Sequence, residues 1–275
     1  MPATLRDLPA GRRKARPVIG PGIVLILAAM AGTAPGRAGA EWRVHRWVGQ
    51  VEVRSEIDFD PRLAAVIDGL PAHKQAIERT IGLPIPARPI ELNIFANRDS
   101  YAAYLQSRVP GASGRPALFV TGVDRDRVYV CYGRQVGTDI RHECTHAYLH
   151  ARLPYVPLWL DEGLAEYFEL PPEQRFNRHA HLRELRTVRS RFRWRPDLER
   201  LEALAEIRDM HAAEYRESWA WAHWMLHGPE PATEALRQYL GEIAAGRHAG
   251  ALRPRLAAIV DQPEEAVRRH IRAIR

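Results

Sequence analysis

The sequence predicts an α+β fold: a small N-terminal mixed or antiparallel sheet with helices, then a functional helix pair, then a helical C-terminal part. Three observations predict it. Segments rich in β-formers are confined to residues 42–132. After Gly137 the apolar spacing turns helical and stays so. The two regimes follow one another instead of alternating, which argues against a doubly wound sheet. With 275 residues, 46% of them hydrophobic, the chain can bury a large core. Its 19 Gly and 21 Pro show no period, so collagen-like and solenoid architectures are excluded.

Residues 1–40 read as an export leader. Arg12, Arg13, Lys14 and Arg16 precede an apolar run from Gly22 to Ala31, and Ala38-Gly39-Ala40 fits a cleavage site before Glu41. The alternative is an uncleaved anchor from Val18 to Ala34, interrupted by Gly20, Pro21, Gly22 and Gly32. Either way the mature chain, 41–275, is expected outside the cytoplasm, periplasmic or extracellular, and meets the membrane only if the leader stays. The net charge of +7 is concentrated in this leader, and the remaining 235 residues carry 34 basic against 32 acidic side chains. A nucleic-acid partner is therefore not expected.

The mature chain reads as a single domain, with an α/β part over 41–137 and a helical part over 138–275. Trp42 to Glu56 is a strand or a hairpin around Gly49. Asp60 to Ile81 has helical spacing, interrupted near Pro71. Pro89 to Phe95 alternates as a half-buried strand, and Asp99 is placed to cap a short helix holding Tyr101, Tyr104 and Leu105. Pro110 to Arg115 is a loop. Ala117–Thr121 and Arg127–Tyr132 form a hairpin across Asp124-Arg125-Asp126. Helices are expected at 138–152, 157–169, 178–190, 213–227, 231–245 and about 263–274. Cys131 and Cys144 are the only cysteines; outside the cytoplasm a disulfide between them is permitted, and two buried thiols are the competing reading.

The chemistry concentrates in His142-Glu143-Cys144-Thr145-His146. Two histidines four apart lie one turn from each other on one helix face, where both imidazoles reach one zinc ion at about 2.0–2.1 Å. Glu143, about 100° round the helix, flanks the ion without ligating it, the place for a general base. The next helix, opening at Pro157, supplies the third ligand. From His146 to Arg152 the first helix advances about 9 Å, and from Pro157 to Glu162 the second returns about 7.5 Å. Glu162 thus comes back level with His146, and two His with one Glu leave a fourth position open. Glu166, one turn further, is expected to accept the second N–H of a zinc-bound histidine.

His142-Glu-Cys-Thr-His146 followed by Trp159-Leu-Asp-Glu-Gly-Leu-Ala-Glu-Tyr167 resembles the gluzincin zinc metallopeptidases, most closely their compact bacterial peptidase-MA-like domains. The specific match covers residues 139–168. The resemblance implies zinc on His142, His146 and Glu162, Glu143 as general base, and a peptide or protein substrate. Only 15 residues separate His146 from Glu162, fewer than in the best-known large gluzincins. It further implies an oxyanion-stabilising Tyr or His on a later helix. Tyr215 is the first choice, with packing as its competing role, and His211 and His223 stand behind it. The expected function is peptide hydrolysis by a zinc-activated water in an exported enzyme. The alternatives are a non-catalytic peptidase-like scaffold of the envelope, and an envelope protein using its Arg-rich stretch, Arg175 to Arg200, on anionic polymers. The strand over 127–132 is a candidate edge for an extended substrate, or a plain core strand.

Other residues fall outside the site on this reading. His150 lies about 12 Å along the helix from His142, and Cys144 is turned about 200° away. Leu149 and Arg152 stand where a metzincin would have Gly and His.

Overall fold

The computed structural model describes residues 41–109, 114–192 and 194–275, without the side chains of 187–192. Residues 1–40, where a leader and its cleavage site are expected, and most of the stretch 110–115 lie outside the described residues.

The N-terminal part is a mixed five-stranded sheet, consistent with the expected α+β class. β1 (Val44–Val48) and β2 (Val51–Ser55) form a hairpin. Gly49 takes φ +58° in its two-residue connection, a conformation that suits glycine. β3 (Ile90–Phe95) runs parallel to β2 and to β5 (Asp126–Cys131), and β4 (Ala117–Val120) closes the edge antiparallel to β5. The spatial order is β1-β2-β3-β5-β4. β3 is buried along its whole length, not half-buried, because it is the central strand and is covered on both faces.

Alternation sorts the side chains between the two faces. Val51, Val53, Ile90, Leu92, Ile94, Val128 and Val130 join the main core. Phe95, Tyr129 and Cys131 face the other way, toward Tyr101 and Leu105 of α3 (Arg98–Gln106). Beside that small cluster, Glu52 and Glu91 are buried under Arg54 and Arg125, which pair with both carboxylates. Cys131 and Cys144 belong to the two opposite clusters and are free, buried thiols, so the permitted disulfide does not form.

Two local expectations shift. The 60–81 stretch is two helices, α1 (Pro61–Asp68), capped by Asp60, and α2 (Leu70–Ile81), broken at Gly69. Pro71 sits in the first turn of α2, where no N–H is needed. Asn97, not Asp99, caps α3 by accepting from the amides of Asp99 and Ser100; Asp99 stands in the first turn.

The helical part follows with α4 (Val136–Arg152), α5 (Leu158–Phe168), α6 (Ala180–Phe192), α7 (Leu198–Glu202), α8 (Ala212–His227), α9 (Glu230–Ala244), α10 (Arg253–Ile259) and α11 (Pro263–Ala273). The short α7 and α10 carry too little periodicity to be read from sequence. α4 lies on the main-core face of the sheet, with Ile140, Cys144, Ala147 and Tyr148 inward. α5 is sandwiched between α4 and α8, and ten of its eleven residues are buried. The α5–α8 approach is so close that a Cβ on Gly163 would stand 2.6 Å from the Ser218 carbonyl oxygen. Only glycine fits there without a backbone shift. α8 fills the other side with Trp219, Trp221 and Trp224.

α11 docks on α8 through a histidine pair. His223 Nε2 donates to the Phe176 carbonyl at 2.9 Å, and its Nδ1 meets His270 Nε2 at 2.8 Å. At least one of the two rings is therefore neutral, since two N–H groups cannot face each other across 2.8 Å. Burial, helped by His227 and His270, holds the His223 pKa down at about 3, and burial holds His270 at about 4.

Gly163→Ala is expected to cost about 1–3 kcal/mol by forcing α5 and α8 apart, seen as a Tm drop of several degrees in calorimetry. An unchanged Tm would show that the helices separate freely. The two depressed histidines contribute stability above pH ~6.5, the unfolded value, that is lost as pH falls toward their folded values. Tm should fall across that interval, and His270→Gln, which keeps a donor but does not titrate, should make the fall shallower. Identical slopes for variant and parent would contradict the pairing.

Candidate metal centre

α4 and α5 build the site together. The face of α4 turned away from Ile140, Cys144 and Ala147 presents His142 and His146, and α5 returns antiparallel after Leu153–Pro157, starting where Pro157 O accepts from the amides of Leu160 and Asp161. The return brings Glu162 between the two rings. His142 Nε2 and His146 Nε2 are 3.2 Å apart, and Glu162 Oε2 is 3.4 Å from the first and 3.7 Å from the second. A tetrahedral ion with ligands at about 2.0–2.1 Å needs neighbouring ligand atoms about 3.3 Å apart. Donor types and spacing therefore fit a divalent metal ion, with a fourth position free.

The other ring nitrogens strengthen that fit. His142 Nδ1 lies 3.1 Å from Glu169 Oε2, and His146 Nδ1 lies 3.0 Å from Asp161 Oδ1. The carboxylate hydrogen-bonded to His142 Nδ1, and the one in ion-pair contact with His146 Nδ1 without hydrogen-bond geometry, leave both Nε2 atoms facing the shared point, as in metal-binding histidines. The carboxylates in turn each meet an outer histidine. Asp161 Oδ2 is 2.9 Å from His150 Nε2, and Glu169 Oε1 is 3.1 Å from His179 Nε2. Burial alone would raise the pKa of Asp161, Glu162 and Glu169, but the adjacent histidines win and hold all three low, Glu162 and Glu169 at about 2. Burial likewise opposes charge on His142 and His146, yet their carboxylate neighbours raise both, His146 to about 10.

The position expected for Glu166 is taken by Glu169. Glu166 Oε2 instead lies 3.0 Å from His181 Nε2 and 3.6 Å from His179 Nε2, although its carboxylate remains within 4.8 Å of Glu169 and His142. Seven positions after Glu162 place Glu169, the C-cap residue of α5, two turns along the same face and one turn beyond Glu166. The role of Asp161 is not legible in the sequence, because helical spacing does not tell which of two adjacent carboxylates turns toward His146 Nδ1 and which toward the Nε2 side. His150 is not among the three clustered ligand-type atoms; its Nε2 holds Asp161.

A cavity of about 90 Å³ opens over the ligand atoms. Glu143, Tyr215, Phe119 and Arg115 line it with the histidines. Glu143 is half-buried and makes no hydrogen bond or ion pair among the described residues. Burial, opposed by His142 and His146, raises its pKa. Burial, reinforced by Glu162, pushes the Tyr215 phenol well up, so it keeps its proton. The other two oxyanion candidates are elsewhere: His211 caps α8 in a reciprocal box with Glu214, and His223 is the buried partner of His270.

The sheet edge beside the cavity is β4, not β5, which is paired on both sides by β3 and β4. Phe119 of β4 stacks on His146 and His150 with ring centroids 6.2 and 5.6 Å apart. Cys131 N bonds Pro116 O, so alternation turns the backbone groups of Ala117 and Phe119 outward. In the Arg-rich stretch, Arg175 is buried against Phe168 and the Leu170 carbonyl, and Arg200 pairs with Glu214 and Glu217. These two serve the fold. Arg178, Arg183 and Arg186 line a separate, more open cavity of about 690 Å³.

Residues 136–247 match a family model described as a protein of unknown function, DUF1570. The matched span contains the three clustered ligands, both supporting carboxylates and Tyr215. No curated protein matches the chain.

The purified chain is expected to hold about one divalent ion per molecule by elemental analysis. Glu162→Ala should lose most of it, while Glu166→Ala should keep it. Equal metal content in the two variants would refute the ligand set.

Proposed function

We propose that the chain is a zinc-dependent peptidase of the gluzincin type, working outside the cytoplasm after removal of its leader. The observation that carries this reading is one cavity shared by three ligand atoms at tetrahedral spacing, an uncommitted carboxylate and a protonated phenol. The motif and its resemblance to gluzincins support zinc as the ion and a peptide bond as the target.

Zinc bound by His142, His146 and Glu162 would lower the pKa of a water toward about 7 and polarise a carbonyl. The chain's own residues do the rest. Glu143 has no partner to give up, so its oxygens take a proton from the attacking water and return it to the leaving amine. Its burial-raised pKa brings it closer to the working pH, where such a base is most effective. The Tyr215 hydroxyl donates a hydrogen bond, keeping its proton, to the negative charge developing on the carbonyl oxygen. The outward amide and carbonyl groups of Ala117 and Phe119 can hold an extended main chain beside the cavity. Phe119 is fixed against His146, so a substrate on this edge would be registered to the metal ligands.

The cavity's volume, about 90 Å³, favours a second reading in which the same fold binds partners without turning them over. A quenched-fluorescence peptide library, with and without chelator, separates the two. The enzyme reading expects chelator-sensitive cleavage, lost by at least about 100-fold in Glu143→Gln with zinc retained. Tyr215→Phe should lose about 10²–10³-fold in kcat. Near-normal turnover by Glu143→Gln would defeat the base assignment, and no chelator-sensitive cleavage of any peptide would favour the binding protein.

A further inference from the structure

The hydrogen bonds running away from His142 can be oriented one after another, starting from a donor whose identity is not in doubt. The backbone N–H of His181 donates to His179 Nδ1 at 3.1 Å. A backbone amide only donates, so Nδ1 of His179 carries no proton and Nε2 does. That Nε2–H donates to Glu169 Oε1 at 3.1 Å. Glu169 takes that bond on Oε1 as a carboxylate, and its other oxygen, Oε2, 3.1 Å from His142 Nδ1, accepts an N–H from that ring. With Nδ1 committed to Glu169, Nε2 is the nitrogen left to offer a lone pair to an ion, and it faces His146 Nε2 and Glu162 Oε2. From these bonds we infer that His179 is a positioning residue that fixes the metal-binding tautomer of His142 through Glu169.

The same orientation settles a competing use of these residues. Glu166, His179 and His181 also bring ligand-type atoms within 4.8 Å of one another, and the buried His181 ring nitrogens make ion-pair contacts to Glu166 and Glu184 without hydrogen-bond geometry. The proton on His179 Nε2 occupies the lone pair that such a second ion would need. His179 therefore serves the first ion and does not ligate another.

The ring could instead matter only as packing, since it is 4% exposed and stacks on Trp219 with centroids 4.9 Å apart. Glutamine separates the roles: its side-chain amide reaches as far as Nε2 and can donate to Glu169, but it has no ring to stack.

The inference rests on the metal reading of the site and not on peptide hydrolysis, so zinc affinity is the readout, measured on the full chain by competition with a chromogenic chelator. His179→Ala should weaken zinc binding by about tenfold or more, within the range for partners of metal-bound histidines, and His179→Gln should recover most of the loss. Glu169→Ala should weaken it at least as much, and the double alanine variant should be no worse than Glu169→Ala, because His179 acts through that carboxylate. Glu169→Gln carries the test where His179→Ala does not fold. Its amide meets two N–H donors with one oxygen, so it too should bind zinc less tightly. Parent-like affinity in His179→Ala or in Glu169→Gln, a His179→Gln as weak as His179→Ala, or additive losses in the double variant would each overturn the relay. A parent chain that holds no zinc overturns the metal reading itself. Zinc bound without any peptide cleaved sinks only the hydrolase reading, and the relay results then stand.

Discussion

The constraint behind this molecule is the cost of removing ionisable groups from water. His146, Asp161 and Glu162 are all at most 5% exposed, and His142 and Glu169 are little more open on their side chains. Isolated, each charge would be prohibitive at that depth. The chain offsets the cost by alternating imidazoles and carboxylates, so that nearly every buried charge has a neighbour of opposite tendency. Two outward branches result, His142–Glu169–His179 and His146–Asp161–His150. Both meet at the three ligand atoms, where a divalent cation is the natural complement to a carboxylate between two lone pairs.

That demand shapes the surrounding fold. Both ligand-bearing helices must be rigid, and both are deeply packed. α4 is pressed onto strands β5 and β4, and α5 has almost no solvent-facing side. The close crossing at Gly163 and Ser218 ties α5 to α8. Tyr215 lies one turn before Ser218, so a single helix contact positions both Glu162 and the phenol over the cavity. The sheet contributes the opposite wall through Phe119.

Much of this was readable from the sequence because it rests on local spacing. The i,i+4 histidines, the length of the α4–α5 return and the change of periodicity after Gly137 each follow from helix geometry. The strand pairings were less legible. The stretch 127–132 looks like any amphipathic strand, and its central place appears only once β4 and β3 are paired to it. The exchange of Glu166 for Glu169 was hidden for another reason. Both carboxylates follow Glu162 at helical spacing, and the choice depends on His179 and His181, which arrive from a separate segment. Gly163 stands in the recognisable stretch, yet its role depends on a backbone carbonyl 55 positions away.

The brevity of β4 carries a consequence for recognition. A four-residue edge exposes the hydrogen-bonding groups of only Ala117 and Phe119, which at about 3.4 Å per residue lie about 7 Å apart. Any polypeptide aligned there is gripped over little more than one dipeptide repeat. Discrimination among such ligands must then come from the side chains flanking that grip, and a long consensus sequence has nothing on this edge to read it.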